Sequence, residues 1–319
     1  MSKGKLVKVL FIGNTRLGDA ILSTPILNYY NKKNCKITII CSSLSKNIYS
    51  SFSSVKRVIT LNKKKRGLHW LEAYNLLEPV KWDLVIDLRN SLLSRIIRKK
   101  SIIRYNDRGN EIHKVESYCN LVNLKKGRSP FIPSNKSNRK IVINLINKIK
   151  IESPILVIAP ITNWKRKNWP LQNYKKLIKK LMRKENKYFS SVILLGSRDE
   201  SIHCEELKKS LNNLAVFNLA GKLQVLEIYE LFKLCSFFIG NDSGLTHLAA
   251  ASNVKNLALF GPSKSTIYRP WGKNSHFIRT PETYSQLVEV KGYDRFDDSS
   301  LMKSLKVQDV FNACLQIIS

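Results

Sequence analysis

A chain of 319 residues is long for one hydrophobic core and comfortable for two domains of about 150 residues each. Hydrophobic residues make up 43% of it, which sets disorder aside, and no apolar run approaches the ~20 residues that span a bilayer. Lysine and arginine total 55 against 23 acidic residues, a formal charge of +32 that attracts polyanions such as nucleic acid, anionic lipid head groups or phosphorylated glycans.

The N-terminal lysines lead straight into a strand-like run, without the apolar stretch and cleavage site of a signal peptide, so a cytoplasmic chain is expected. Leu6–Ile12, Lys36–Cys41, Val55–Leu61 and Asp83–Leu88 read as strands, and Asp19–Asn31 and Gly67–Leu77 as helices between them. The basic segment Ser91–Lys100 is expected to be a helix after the fourth strand. Lys125–Lys140, with Gly127, Pro130 and Pro133, has loop chemistry and suits an interdomain connection, followed by a helical piece at Ile141–Lys150.

The alternation then restarts. Ile155–Pro160, Ser191–Leu195, Ala215–Leu219, Phe237–Ile239 and Leu257–Phe260 read as strands, and Leu171–Lys184, Glu200–Leu211, Gln224–Leu234 and Gly244–Ala251 as helices. Val307–Ile318 reads as a closing helix, free to pack back on the N-terminal domain. The pattern is α/β throughout: two doubly wound domains, 1–150 and 151–319, facing a central cleft. Six scattered cysteines show no metal-ligand spacing and read as reduced thiols, so no metal site is expected.

Three segments carry candidate chemistry. In FIGNTRLGDAILSTP, residues 11–25, a strand ends at Gly13 and a helix starts near Gly18-Asp19. The glycine spacing is not that of a dinucleotide or Walker loop. Asp19 is either an ordinary helix-start acid or a general base at a strand's carboxyl end. In IAPITNWKRKNWP, residues 158–170, Lys165, Arg166 and Lys167 form either a phosphate clamp or a solvated loop. In the third, residues 237–270, Asp242, Ser243 and Gly244 cap a small-residue helix and offer amides to an anion. His247 lies one turn into that helix, and a second strand ends at Phe260-Gly261-Pro262-Ser263. That gathering of polar residues at strand ends suits a diphosphate and a sugar.

At these segments the chain resembles the ADP-heptose:lipopolysaccharide heptosyltransferases, glycosyltransferase family 9. Gly18, Asp19 and Pro25 match its GD…P helix start, and Lys167, Trp169 and Pro170 its K-x-W-P element. Asp242, Ser243, Gly244, His247 and Ala250 match D-[ST]-G-x-x-H-x-x-A, and Phe260 to Ser263 match F-G-[PA]-[ST]. Ile161 after Pro160 and the bulky Trp164 depart from the family's pattern.

The resemblance implies a GT-B fold with two Rossmann-like domains, acceptor on the first and nucleotide sugar on the second. It implies inverting transfer of heptose from ADP-heptose without a metal or other cofactor. Asp19 would be the base and Lys167 would neutralise the diphosphate. The donor would meet Asp242, Ser243, Gly244, His247, Gly261, Pro262 and Ser263, with Glu200 and Thr162 as further donor contacts. Arg16, Lys63, Lys64 and Arg66 are the acceptor candidates. The acceptor would be an anionic, phosphorylated glycolipid of the lipopolysaccharide or lipooligosaccharide inner core, met by a monomer at the cytoplasmic face of the inner membrane. Transfer to another acceptor, such as capsule or protein, is the alternative enzyme reading. Nucleic-acid binding would also use the charge, but no helix-turn-helix, zinc-finger, KH or RNP pattern is present, so no specific nucleic-acid partner is expected.

Overall fold

The computed structural model describes residues 6–61, 68–106, 109, 111–125, 128–183 and 188–319. The chain divides into two units, Met1–Pro133 and Ser134–Ser319.

The first unit runs β1 (Val7–Ile12), α1 (Leu17–Asn31), β2 (Cys35–Cys41), α2 (Ser43–Ser50), β3 (Val55–Thr60), α3 (Leu68–Leu77), β4 (Trp82–Asp87), α4 (Leu93–Ile96), β5 (Lys99–Arg104) and α5 (Lys114–Leu121). Its five strands lie in the order β3-β2-β1-β4-β5, all parallel. The order reverses between β1 and β4, where the strands' carboxyl ends open a crevice. Pro25 sits inside α1 and withholds the N–H that the Ile21 carbonyl would otherwise accept. The Thr24 hydroxyl donates to that carbonyl instead, at 2.7 Å, so the helix runs on.

The second unit runs α6 (Lys136–Lys148), β6 (Ile155–Ala159), α7 (Leu171–Leu181), β7 (Ser191–Leu194), α8 (Ser201–Lys209), β8 (Val216–Asn218), α9 (Val225–Phe232), β9 (Phe237–Asn241), α10 (Gly244–Ser252), β10 (Asn256–Phe260), α11 (Ser265–Tyr268), β11 (Ser275–Arg279), α12 (Tyr284–Val288) and α13 (Val307–Ile318). Its sheet, β11-β10-β9-β6-β7-β8, is again parallel and reverses between β6 and β9. β6, β7, β9 and β10 are buried along their whole length, which is why they read as unbroken apolar runs.

Several sequence expectations need correction. Ser91–Lys100 is not one helix: only Leu93–Ile96 is helical, and Lys99–Arg104 is the edge strand β5. Its cations protect an unpaired edge, and they hid the strand from an apolar-pattern reading. The division between units falls after Pro133 rather than at 150, because α6 packs on α9. Glu230 of α9 fixes that packing: its Oε1 accepts from the Ser134 hydroxyl at 2.6 Å and the Asn135 N–H at 3.2 Å. The closing helix α13 packs against α7 and β10 of the second unit. The parallel, doubly wound plan expected for a GT-B chain holds in each unit.

Candidate active site

In the second unit the polar residues gather where the strand order reverses. Ala159 of β6 lies opposite Gly240 of β9, and Lys167 follows the first strand while Asp242 follows the second. The connections leave these two ends in opposite directions, which makes room for a ligand above them.

Asn241, the last residue of β9, ties the two ends together. Its Nδ2 donates to the Pro160 carbonyl at 2.7 Å, and its Oδ1 accepts from the Trp169 N–H and the Tyr174 hydroxyl, each at 3.1 Å. The Asn241 carbonyl accepts from the Thr246 hydroxyl at 2.6 Å. A buried amide spent this fully fixes both loops. Sequence reading passed over Asn241; a polar residue closing an otherwise apolar strand was the available signal.

Asp242 is nearly buried and accepts a short hydrogen bond from Lys167 Nζ, so the two charges close on each other at the mouth of the sheet. Ser243 is the N-cap of α10, yet its hydroxyl makes no cap. The buried Oγ atoms of Ser243 and of Ser263, beyond β10, find no hydrogen-bond partner among the described residues. A buried unsatisfied hydroxyl costs about 1–3 kcal/mol, so two of them at neighbouring strand ends fit the oxygens of an anion. The leading amides of α10, at Gly244 and beyond, lack intrahelical acceptors and add the positive end of the helix dipole. His247 is buried one turn in, its N–H directed to the Ser243 carbonyl.

Of the three cations in the 165–167 turn, only Lys167 is directed at Asp242. Lys165 pairs with Asp298 at 2.5 Å. Arg166, almost buried, donates to Asp297 at 2.9 Å and to the Asp294 carbonyl, and stacks on Tyr293. The Trp164 indole donates to the Arg295 carbonyl, the Leu301 N–H to the Arg166 carbonyl, and the Ser300 hydroxyl to the Asn168 carbonyl. Residues 294–301 thus strap the turn down. Lys165 and Arg166 are held by Asp298 and Asp297 of the strap, so Lys167, paired with Asp242, is the cation of this turn placed at the strand ends.

The remaining donor candidates are placed differently. Thr162 spends its N–H on Asn168 Oδ1 and its hydroxyl on the same oxygen and the Trp164 carbonyl, pinning the loop. Glu200 accepts from the Ser197 N–H at 2.7 Å and lies beneath Gly196, fixing the turn after β7. Gly261 is demanded by packing, since a Cβ there would come within 2.2 Å of Met302 Sδ. Pro262 is buried beside it.

In the first unit, Asp19 sits in the first turn of α1, half-buried, beyond the carboxyl end of β1. Gly13 is required there: a Cβ would lie 2.6 Å from the Tyr49 ring, which crosses the strand end. The Tyr49 hydroxyl accepts from the Asn14 N–H at 3.0 Å and shares a hydrogen bond with Ser23. Asn14 Nδ2 donates to the Asp19 carbonyl at 3.2 Å and to the Tyr118 hydroxyl at 3.1 Å. Burial first, and then the Asp19 charge, hold the Tyr118 phenol well above the ordinary tyrosine range; burial does the same for Tyr49. Both phenols therefore keep their protons beside the carboxylate. Arg16, the N-cap of α1, is exposed next to it. Lys63, Lys64 and Arg66 lie outside the described residues.

Among the described residues no group of three or more His, Cys, Asp or Glu side chains forms a metal cluster. No helix among them is long and apolar enough to cross a membrane. All six cysteines are free thiols, and burial pushes Cys41 and Cys119 to about 11 and Cys204 and Cys314 to about 12.

Residues 101–296 match the family model described as glycosyltransferase family 9 (heptosyltransferase). The chain is 25% identical to a lipooligosaccharide heptosyltransferase 2 of Haemophilus influenzae, over 91% of this chain and 92% of that one. Among solved structures it is similar to a glycosyl transferase family 9 protein of Veillonella parvula, with a TM-score of 0.82 at 17% identity and 98% of each chain covered. It is also similar to the E. coli ADP-heptose lps heptosyltransferase II, with a TM-score of 0.73 at 19% identity, again over 98% of each chain.

Proposed function

The chain belongs to glycosyltransferase family 9, the heptosyltransferase family, and from that premise we propose that it transfers heptose from ADP-heptose to a lipopolysaccharide or lipooligosaccharide inner core, with inversion and without a metal. The observation that carries the reading is the pairing of Lys167 with Asp242 at the reversal point of the second sheet, beside the amide end of α10.

A nucleoside diphosphate leaving group gathers negative charge as the glycosidic bond breaks. Lys167 and the α10 amides would meet that charge, and the Ser243 and Ser263 hydroxyls would donate to its oxygens. Asp242 holds the ammonium at the mouth before the donor arrives, and His247 stands one turn behind. On the acceptor side, the Asp19 carboxylate would take the proton of the attacking hydroxyl, while the protonated Tyr49 and Tyr118 keep neighbouring charge off it. In-line attack opposite the leaving group gives inversion. Relatives named lipooligosaccharide or lipopolysaccharide heptosyltransferase support the acceptor class. That acceptor would be a phosphorylated glycolipid met at the cytoplasmic face of the inner membrane. A monomer suffices for these roles.

A thermal-shift panel of nucleotide sugars in EDTA tests the donor reading, since a ligand stabilises by RT ln(1 + [L]/Kd). ADP-heptose should raise the midpoint most. Equal shifts with all nucleotides, or a shift that needs a divalent metal, would count against it.

A further inference from the structure

One side of the first unit exposes four large apolar side chains. Leu68 and Leu71 of α3 are 50% and 61% exposed, and Leu92 and Ile96 around α4 are 70% and 55% exposed. These residues share one face of the sheet. α3 and α4 follow β3 and β4 as the chain steps toward β5, and right-handed crossovers place both on the same side. They bury Ala73, Leu77, Leu93 and Ile97 in one core.

Two contacts hold α3 and the 89–98 segment alongside each other. The Arg89 guanidinium lies 4.9 Å from the Trp70 ring centre, near the start of α3. Arg98 donates to the Glu78 carbonyl at 3.0 Å and 3.2 Å, just beyond its end. The four exposed apolar side chains therefore stand on adjoining elements rather than scattered over the unit.

The charges around them are cationic. Arg89, Arg95 and Arg98 are exposed here, and Lys99 and Lys100 follow. The acids of the segment are mostly committed. Asp87 is buried and accepts from Arg89 N–H and Ser91, Asp83 pairs with Lys100 at 2.6 Å, and Glu78 pairs with Arg98. Glu72 of α3 is exposed.

We propose that this α3–α4 face docks on an anionic lipid bilayer, Leu68, Leu71, Leu92 and Ile96 entering the interface while the arginines meet the phosphates. It rests on the reading of a glycolipid acceptor, and it says which surface of the chain reaches that acceptor's membrane. Apolar insertion and phosphate attraction act together on such a face, whereas either alone gives only weak binding. Charge complementarity favours lipid over a second copy of the chain, which would set these cations against each other.

Co-sedimentation with phosphatidylglycerol/phosphatidylcholine vesicles at low salt tests the proposal. Wild type should bind these vesicles and largely ignore pure phosphatidylcholine. Leu71→Ser/Leu92→Ser/Ile96→Ser should weaken binding about tenfold or more, and Arg89→Gln/Arg95→Gln should weaken it and reduce its salt dependence. Light scattering and the thermal midpoint, read with and without ADP-heptose, accompany each variant. Both variants should keep the wild-type midpoint and its donor-induced shift. Loss of that shift in wild type would strike the donor reading and leave the vesicle result standing. Equal vesicle binding by the triple variant and wild type, binding indifferent to lipid charge, or a wild-type dimer that the triple variant dissolves would overturn the docking face.

Discussion

Lys167 donates to Asp242 across the two strands at which the second sheet reverses its order. The pair keeps a cation waiting beside the amide end of α10 without an unpaired buried charge. Lys167→Ala should raise the donor KM and lower kcat by about 10²–10³, because the charge it meets grows in the transition state. Asp242→Asn should do less to kcat while raising KM, since the ammonium remains but is no longer held. Steady-state kinetics of both variants decides this; a Lys167→Ala enzyme with unchanged donor affinity would make the lysine a loop residue only.

Asp19 lies in the other unit, in the first turn of α1. Asp19→Asn keeps the backbone carbonyl that Asn14 uses and removes the carboxylate charge. Turnover should fall by about 10²–10⁴ with donor affinity intact. Near wild-type turnover in Asp19→Asn would end its assignment as base.

The strap yields a positioning test. Asp297 holds Arg166, the residue before Lys167. Hydrogen bonds from the Ser299 N–H and hydroxyl, and then Arg166, keep the Asp297 carboxyl below the usual aspartate range. Asp297→Asn should raise the donor KM about threefold to tenfold with a smaller change in kcat, and Asp297→Glu should restore part of it. Equal kinetics in Asp297→Asn and wild type, at unchanged thermal stability, would mean the strap has no hold on Lys167.

Much of this was legible in the sequence, for identifiable reasons. β6, β9 and β10 are buried on both faces and stand out as apolar runs, and the residues that end them are the polar ones. Asp242 and Ser243 could be picked out for that reason, whereas Lys167 stood out from its basic turn only through the family's K-x-W-P element. The edge strands β5 and β11 were missed because exposed edges carry Lys, Arg, Ser and His in place of an apolar pattern. The start of α6 read as loop because Asn135 caps it through a local hydrogen bond to the Ser137 N–H within a run of polar residues. The strap was invisible for another reason: its partners lie about 130 positions away along the chain, and no local pattern records such a pairing.

Glu230 gives a stability prediction with a sign. Burial alone would raise its carboxyl, but hydrogen bonds from Ser134, the Asn135 N–H and Lys233 outweigh it and hold the group below the ordinary glutamate value. A depressed folded value means stability present above the ordinary pKa of about 4.3 and lost as pH falls through the depressed one. Glu230→Gln should cost about 1–3 kcal/mol at neutral pH, and the gap to wild type should close below pH 4. Urea midpoints at pH 7 and pH 3 measure it; a gap that does not change with pH would contradict the ionised role.

Heptose transfer by this chain is directly measurable. Purified protein incubated with ADP-heptose and heptose-deficient lipopolysaccharide in EDTA, with the product read by mass spectrometry and its anomeric configuration by NMR, tests it most directly. The expected result is one added heptosyl residue of inverted configuration, lost in Lys167→Ala and Asp19→Asn. Folded wild-type protein that binds ADP-heptose but leaves the acceptor unchanged, or that adds heptose with retained configuration, would contradict it.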